Sequence, residues 1–241
     1  MLWRIYLQKA RNANAIGDTD TAAAYLHKML KHRPNAKAKI LAGYYFLKKN
    51  RLEEAEAVFE NHIMNDKKVN KPPKVRRDGT IVMNRLEIQA KTNCALLLWK
   101  KGELDQAIEI LENLYKRARS TDLLCNLGYL YILKGDLDKA LEFNLKAYDF
   151  NSLHNGICDN LGYTYYMRGD FDSALDIYEE ILDHPRKPMF PEYYYNYGVV
   201  LTHFGEKEEA AKQFKYALQL EFDGFSNVTR AQVEEALKNL S

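Results

Sequence analysis

From Asn126 to Phe143 the chain reads N-L-G-Y-L-Y-I-L-K-G-D-L-D-K-A-L-E-F, and apolar residues recur three and four apart on either side of a Lys-Gly-Asp break. That spacing predicts two short amphipathic helices joined by a tight turn. The pattern returns 34 residues later, from Asn160 to Ile177, as N-L-G-Y-T-Y-Y-M-R-G-D-F-D-S-A-L-D-I. A self-match at a fixed period is the mark of a repeat array, in which each hairpin buries its apolar face against its neighbours.

Numbering one unit as 34 positions, with Gly128 and Gly162 at position 8, puts Gly135 and Gly169 at position 15 and Ala140 and Ala174 at position 20. The same landmarks extend to Ala95, Gly102 and Ala107 on one side and to Gly198, Gly205 and Ala210 on the other; all three step together by 33, 34 and 36 residues. Small residues at 8 and 20 let antiparallel helices approach, with larger ones at 4, 7, 11 and 24 filling the space beside them. Glycine at 15 ends the first helix in a positive-φ conformation. The acidic residues that follow suit the start of the second helix.

On these residues the chain resembles a tetratricopeptide repeat protein over most of its length. The resemblance implies an all-α, right-handed superhelical solenoid of about six antiparallel hairpins. Two units occupy residues 1–65, with Ala10, Gly17, Ala22, Leu26 and Pro34 as landmarks of the first and Gly43, Ala55 and Phe59 of the second. Residues 66–87 are a basic, Pro- and Gly-containing insertion that lengthens the step from Ala55 to Ala95 to 40 residues. Its Asp78-Gly79 beside Val75 and Thr80-Ile81-Val82 signals a small hairpin, with a solvated loop as the alternative. Four units follow over residues 88–224, and 225–241 form a capping helix opened by Thr229-Arg230-Ala231-Gln232. The abrupt start at Met1-Leu2-Trp3 reads as an excised fragment, cut after an anchor or another domain.

Composition changes this picture little. At 46% hydrophobic and 28% charged residues the balance is that of an ordinary globular chain, and no apolar run approaches the ~20 residues of a membrane span. Charge is uneven: residues 1–87 carry 18 Lys+Arg against 9 Asp+Glu, the remainder 17 against 24. Cys94, Cys125 and Cys158 show neither disulfide nor metal spacing and read as reduced thiols, so a cytoplasmic protein is expected, with the cytoplasmic face of a membrane as an alternative.

Positions 2, 5, 6, 9, 12 and 13 share one helix face, which the resemblance makes the ligand-lining surface. Position 6 is Asn93, Asn126, Asn160 and Asn196, a ladder whose amides could pair with an extended peptide backbone. Around it lie Trp99, Tyr129, Tyr163, Tyr166, Tyr195 and His203, an aromatic groove suited to a partner. A chaperone-tail carboxylate clamp is disfavoured, because its cationic positions hold Thr92, Cys125, Gly156 and Glu192.

No catalytic or phosphate-binding motif is visible, and His154 with Cys158 makes too small a metal set. The expectation is therefore a scaffold or adaptor that binds a protein or peptide segment. It carries no enzyme activity, cofactor, metal or small-molecule substrate, and nucleic acid is disfavoured. A membrane would be met only through a segment outside this chain. The alternative is an assembly module that packs against a longer chain or self-associates as a homo-oligomer.

Overall fold

The computed structural model describes residues 2–77, 81–182 and 187–240. Among the described residues the chain is all-α apart from one short hairpin, and it divides into two compact units, residues 1–118 and 119–241.

Unit 1 holds three helix hairpins: α1 (Leu2–Ala15) with α2 (Thr19–Lys31), α3 (Ala36–Lys48) with α4 (Leu52–Val58), and α5 (Arg85–Lys100) with α6 (Leu104–Arg117). Helix α4 runs on into a π-helical turn, Phe59–Ile63, which buries both of its end residues. In the insertion, β1 (Lys74–Val75) pairs antiparallel with β2 (Ile81–Val82), so the hairpin reading applies to these strands; the Asp78-Gly79 turn lies outside the described residues. The insertion is anchored at both ends. Lys39 bonds Asp66 at 2.6 Å, and the Asn84 amide donates to the Lys68 and Val69 carbonyls at 2.6 and 2.9 Å while its oxygen caps α5. Val69 and Met83 are buried, whereas Lys67, Lys68, Lys71, Lys74, Arg76 and Arg77 stay exposed.

Unit 2 holds α7 (Thr121–Lys134) with α8 (Leu137–Phe150), α9 (Asn155–Met167) with α10 (Phe171–Leu182), and α11 (Pro191–His203) with α12 (Lys207–Leu218). Helix α13 (Arg230–Lys238) then packs on α12 through the fully buried Val233 and opens with the expected Thr229/Gln232 capping box. Pro191 occupies the first turn of α11, where its missing N–H goes unneeded. Residues 183–186, between α10 and α11, lie outside the described residues. Among the described residues no helix is long and apolar enough to cross a membrane.

Two regularities tie sequence to packing. Every position-15 glycine has φ between 78° and 86°, and the next residue's N–H turns back to the first helix, as Asp136 N–H does to the Tyr131 carbonyl at 3.1 Å. The second hairpin puts Asn50 at this address, with φ 54°, and keeps the bond (Arg51 N–H to Phe46 O, 2.8 Å). Asparagine tolerates the left-handed region but glycine enters it without a Cβ penalty. Asn50→Gly is therefore expected to stabilise unit 1 by about 0.5–1 kcal/mol in urea denaturation; a loss would show that the asparagine side chain contributes something beyond its backbone conformation.

The second regularity is a size match between position 8 and position 24, sixteen residues on. The glycines face bulky groups: a Cβ on Gly43, Gly162 or Gly198 would come within 2.8, 2.8 and 2.5 Å of Phe59, Tyr178 and Phe214. Where position 8 is alanine, as at Ala10 and Ala95, position 24 is leucine, Leu26 and Leu111. Only Gly128 faces a polar residue, the fully buried Asn144, whose amide donates to the Thr164 hydroxyl at 3.0 Å.

Candidate functional site

In unit 2 the first helices α7, α9 and α11 lie side by side, and their shared periodicity brings positions 2, 5, 6 and 9 to one face. The helices approach so closely that position 6 of each reaches position 5 of the one before. The Asn160 amide donates to the Cys125 carbonyl at 3.0 Å, and the Asn196 amide to Asp159 Oδ1 at 3.1 Å. Both asparagines are buried, with 8% and 7% of their surface exposed. Asn126 is half-buried, and its amide bonds the Asp122 carbonyl of its own helix at 2.8 Å. In unit 1, Asn93 is buried as well. Asn160 and Asn196 are thus rungs between neighbouring helices, and the expectation that the position-6 amides project freely into a groove is corrected for these two and for the buried Asn93.

Beside the rungs lies a cavity of about 260 Å³. Its helical walls include Asn126, Tyr129, Asp159, Asn160 and Glu192, and it is completed by Met189 and Phe190 ahead of α11 and by the chain's own connection from Glu221 to Asn227. A segment of the same chain therefore forms part of the wall of this cavity. The Asn227 N–H donates to Glu192 Oε1 at 3.1 Å, and Asn227 lines the cavity together with Tyr129.

The electrostatics are dominated by burial. Asp159 is enclosed, and desolvation pushes its carboxyl up to about 7, with Glu192 adding repulsion; the bonds donated by Asn196 and by the Tyr178 hydroxyl, the latter at 3.0 Å, act in the opposite direction. Glu192 is likewise raised by burial, against the bond it accepts from the Asn227 N–H. Burial also lifts the thiols of Cys94 to about 11 and of Cys125 and Cys158 to about 12, so all three are protonated and weakly nucleophilic at neutral pH. His154 caps α9 through Nδ1, and the Cys158 thiol donates to the Ser152 carbonyl at 3.0 Å, which gives each a local structural partner.

Toward the other end of the same helices runs an aromatic strip. Tyr163 and Tyr166 stack at 6.2 Å, Tyr166 meets Phe171 edge-on at 5.6 Å, and Phe171 stacks on His203 at 3.5 Å. Tyr163, Tyr166 and Tyr195 are half-buried, His203 is exposed, and Met167 beside them is 46% exposed. In unit 1, Trp99 is half-buried with the Lys100 ammonium 5.0 Å from its ring centre.

The profile of the tetratricopeptide repeat matches residues 7–66, 94–153 and 160–224. The chain belongs to the tetratricopeptide repeat family. No curated protein sequence matches this repeat protein. Among solved structures it is similar to a tetratricopeptide repeat protein from Parabacteroides merdae, at 16% identity and TM-score 0.52, covering 99% of this chain and 98% of that one. PilF of Pseudomonas aeruginosa matches at 15% identity and TM-score 0.58, over 98% and 97%. The Cut9–Hcn1 hetero-tetramer of the APC/C matches at 16% identity and TM-score 0.66, over 91% of this chain and 42% of that one. At these identities the likenesses concern the fold.

Two contributors to the site of this repeat protein escaped the sequence reading: Glu192 as an acceptor on the face, and the connection Glu221–Asn227. The available signal was length. Eleven residues separate Leu218 from Arg230, and a connection holding Phe222 and Phe225 has apolar surface to bury.

Proposed function

We propose that this tetratricopeptide repeat protein is a protein-interaction scaffold that takes an extended partner segment on the first-helix face of unit 2, without catalysis. The observation that carries this reading is the convergence of that face on a cavity flanked by a partly exposed aromatic strip. Half-buried tyrosines offer large, stiff contact area with a polar tip, the character of interaction hot spots. Tyr166, His203 and the exposed Met167 are its most accessible residues, Tyr163 and Tyr195 support them, and Tyr129 and Asn126 line the cavity. Asn126 is half-buried and lines the cavity, where its amide is the most accessible of the position-6 asparagines of unit 2; in unit 1, Trp99 is a separate half-buried candidate contact. Three cysteines without a disulfide fit the cytoplasmic setting that the sequence suggests.

A photo-crosslinking residue placed at Tyr166, with another at the exposed Glu142 of α8 as a control, tests this reading in cells. A discrete adduct is expected from Tyr166, absent from Glu142 and lost when His203 is also changed to Ala. The same adducts from both positions would overturn it. One observation favours a second reading, an assembly module whose groove is filled by self-contacts: residues 221–227 already cover part of the face. In that case Tyr166 would yield only adducts within this chain or between its copies.

A further inference from the structure

We propose that residues 221–228 are a built-in occupant of the binding face, which a partner segment must displace. The inference rests on the reading of the first-helix face as the binding surface and specifies how that surface is regulated. The connection makes the contacts that a bound peptide would make. Its Asn227 backbone N–H donates to the Glu192 carboxylate at 3.1 Å, its Glu221, Asp223, Phe225, Ser226 and Asn227 line the same cavity as Tyr129 and Asn126, and Val228 is buried. It is also preorganised. Asp223 Oδ1 accepts from the Phe225 N–H at 2.8 Å, Ser226 Oγ accepts from the Asp223 N–H at 3.1 Å, and the Arg230 guanidinium holds the Leu218 carbonyl at 3.0 Å across the base of the connection.

A segment tied down at both ends competes at high local concentration, so a partner of modest affinity is excluded until the segment swings away. Charge makes the occupant displaceable. Glu221 and Asp223 of the connection line the same cavity as Asp159 and Glu192, and Asp223 raises the Glu192 carboxyl by repulsion. A partner that keeps the amide donor but carries Lys or Arg where the connection has Asp223 replaces a repulsion by an attraction. The partner class is therefore a basic extended peptide segment.

Cys125 lines the cavity and reports its access. The measurement is N-ethylmaleimide labelling at Cys125, resolved by peptide mapping, in the full chain and in two variants. One replaces Glu221–Asn227 by Gly and Ser at equal length; the other is Glu192→Ala, which removes the latch and leaves the connection intact. Labelling is expected to accelerate about tenfold or more in the first and by less in the second. A synthetic peptide of residues 219–229, added to the first variant, is expected to restore protection, and its Asp223→Lys version to do so at several-fold lower concentration. Equal labelling of the full chain and both variants, with helical circular dichroism unchanged, overturns the occlusion. A Lys peptide no better than the parent overturns the basic-partner assignment. If the first variant unfolds, Glu192→Ala decides the question alone. No partner protein is used, so failure here leaves the crosslinking result standing, and failed crosslinking leaves the occlusion standing.

Discussion

Gly198→Ala should destabilise unit 2 by about 1–2 kcal/mol in urea denaturation, although helix propensity alone favours alanine by about 1 kcal/mol. The added methyl would stand 2.5 Å from the Phe214 ring, which is buried among Tyr195, Tyr197 and Val200 and has nowhere to move. The other hairpins suggest the remedy: nature pairs Ala95 with Leu111 and Ala10 with Leu26 at these two addresses. Phe214→Leu should by itself cost about 1 kcal/mol, yet in combination with Gly198→Ala the two losses should fall short of their sum by about 1 kcal/mol. Simple additivity in the double-mutant cycle would mean that the position 8 and position 24 match is coincidental packing.

Asp159→Asn should raise the stability of unit 2 above pH 7 by about 2–4 kcal/mol and leave it unchanged below pH 4. The sign follows from the direction of the shift. Burial lifts this carboxyl to about 7 in the folded chain, against an ordinary value of 3.8, so the folded state holds the proton more tightly than the unfolded one. The stability associated with the neutral acid is complete below the unfolded value and is lost as pH rises through the folded one. Asparagine keeps the oxygen that accepts from Tyr178 and Asn196 and never ionises. Urea denaturation of both proteins from pH 4 to 8 should show a gap that opens with pH and levels off. A gap independent of pH would place the Asp159 carboxylate in a better-solvated setting than its burial implies.

Much of the fold was legible in the chain because its determinants are local and repeated. The position-15 glycines mark turns whose backbone conformation only glycine enters freely, and shifted together they located five of the hairpins; Asn50 hid the same turn in the second, since a side chain tolerated there carries no punctuation. The capping box at Thr229 and the proline at position 191 were readable for the same reason: each acts on backbone groups within a turn of itself. The insertion showed its strand-forming residues, but not that Asn84 and the Lys39–Asp66 pair would pin it down, since those contacts join residues 15 to 27 apart in sequence.

The site was legible as an address, but the partners of Asn160 and Asn196 were not. Periodicity put Asn160 and Asn196 on the first-helix face, yet whether a residue on that face meets a ligand or the adjacent helix depends on how near the next helix lies. The rungs to Cys125 and Asp159 span 35 and 37 residues, beyond the reach of any local pattern. The sequence by itself determined the hairpins, their turns and the small residues that let helices touch, because those are backbone and size rules acting within one repeat. Tertiary structure alone decided that Asn160 and Asn196 would bond the adjacent helix, that Asp159 would be buried, and that residues 221–227 would help wall the cavity. Each of these follows from how closely separate segments pack, and packing distance is a property of the assembled unit that no single stretch of chain carries.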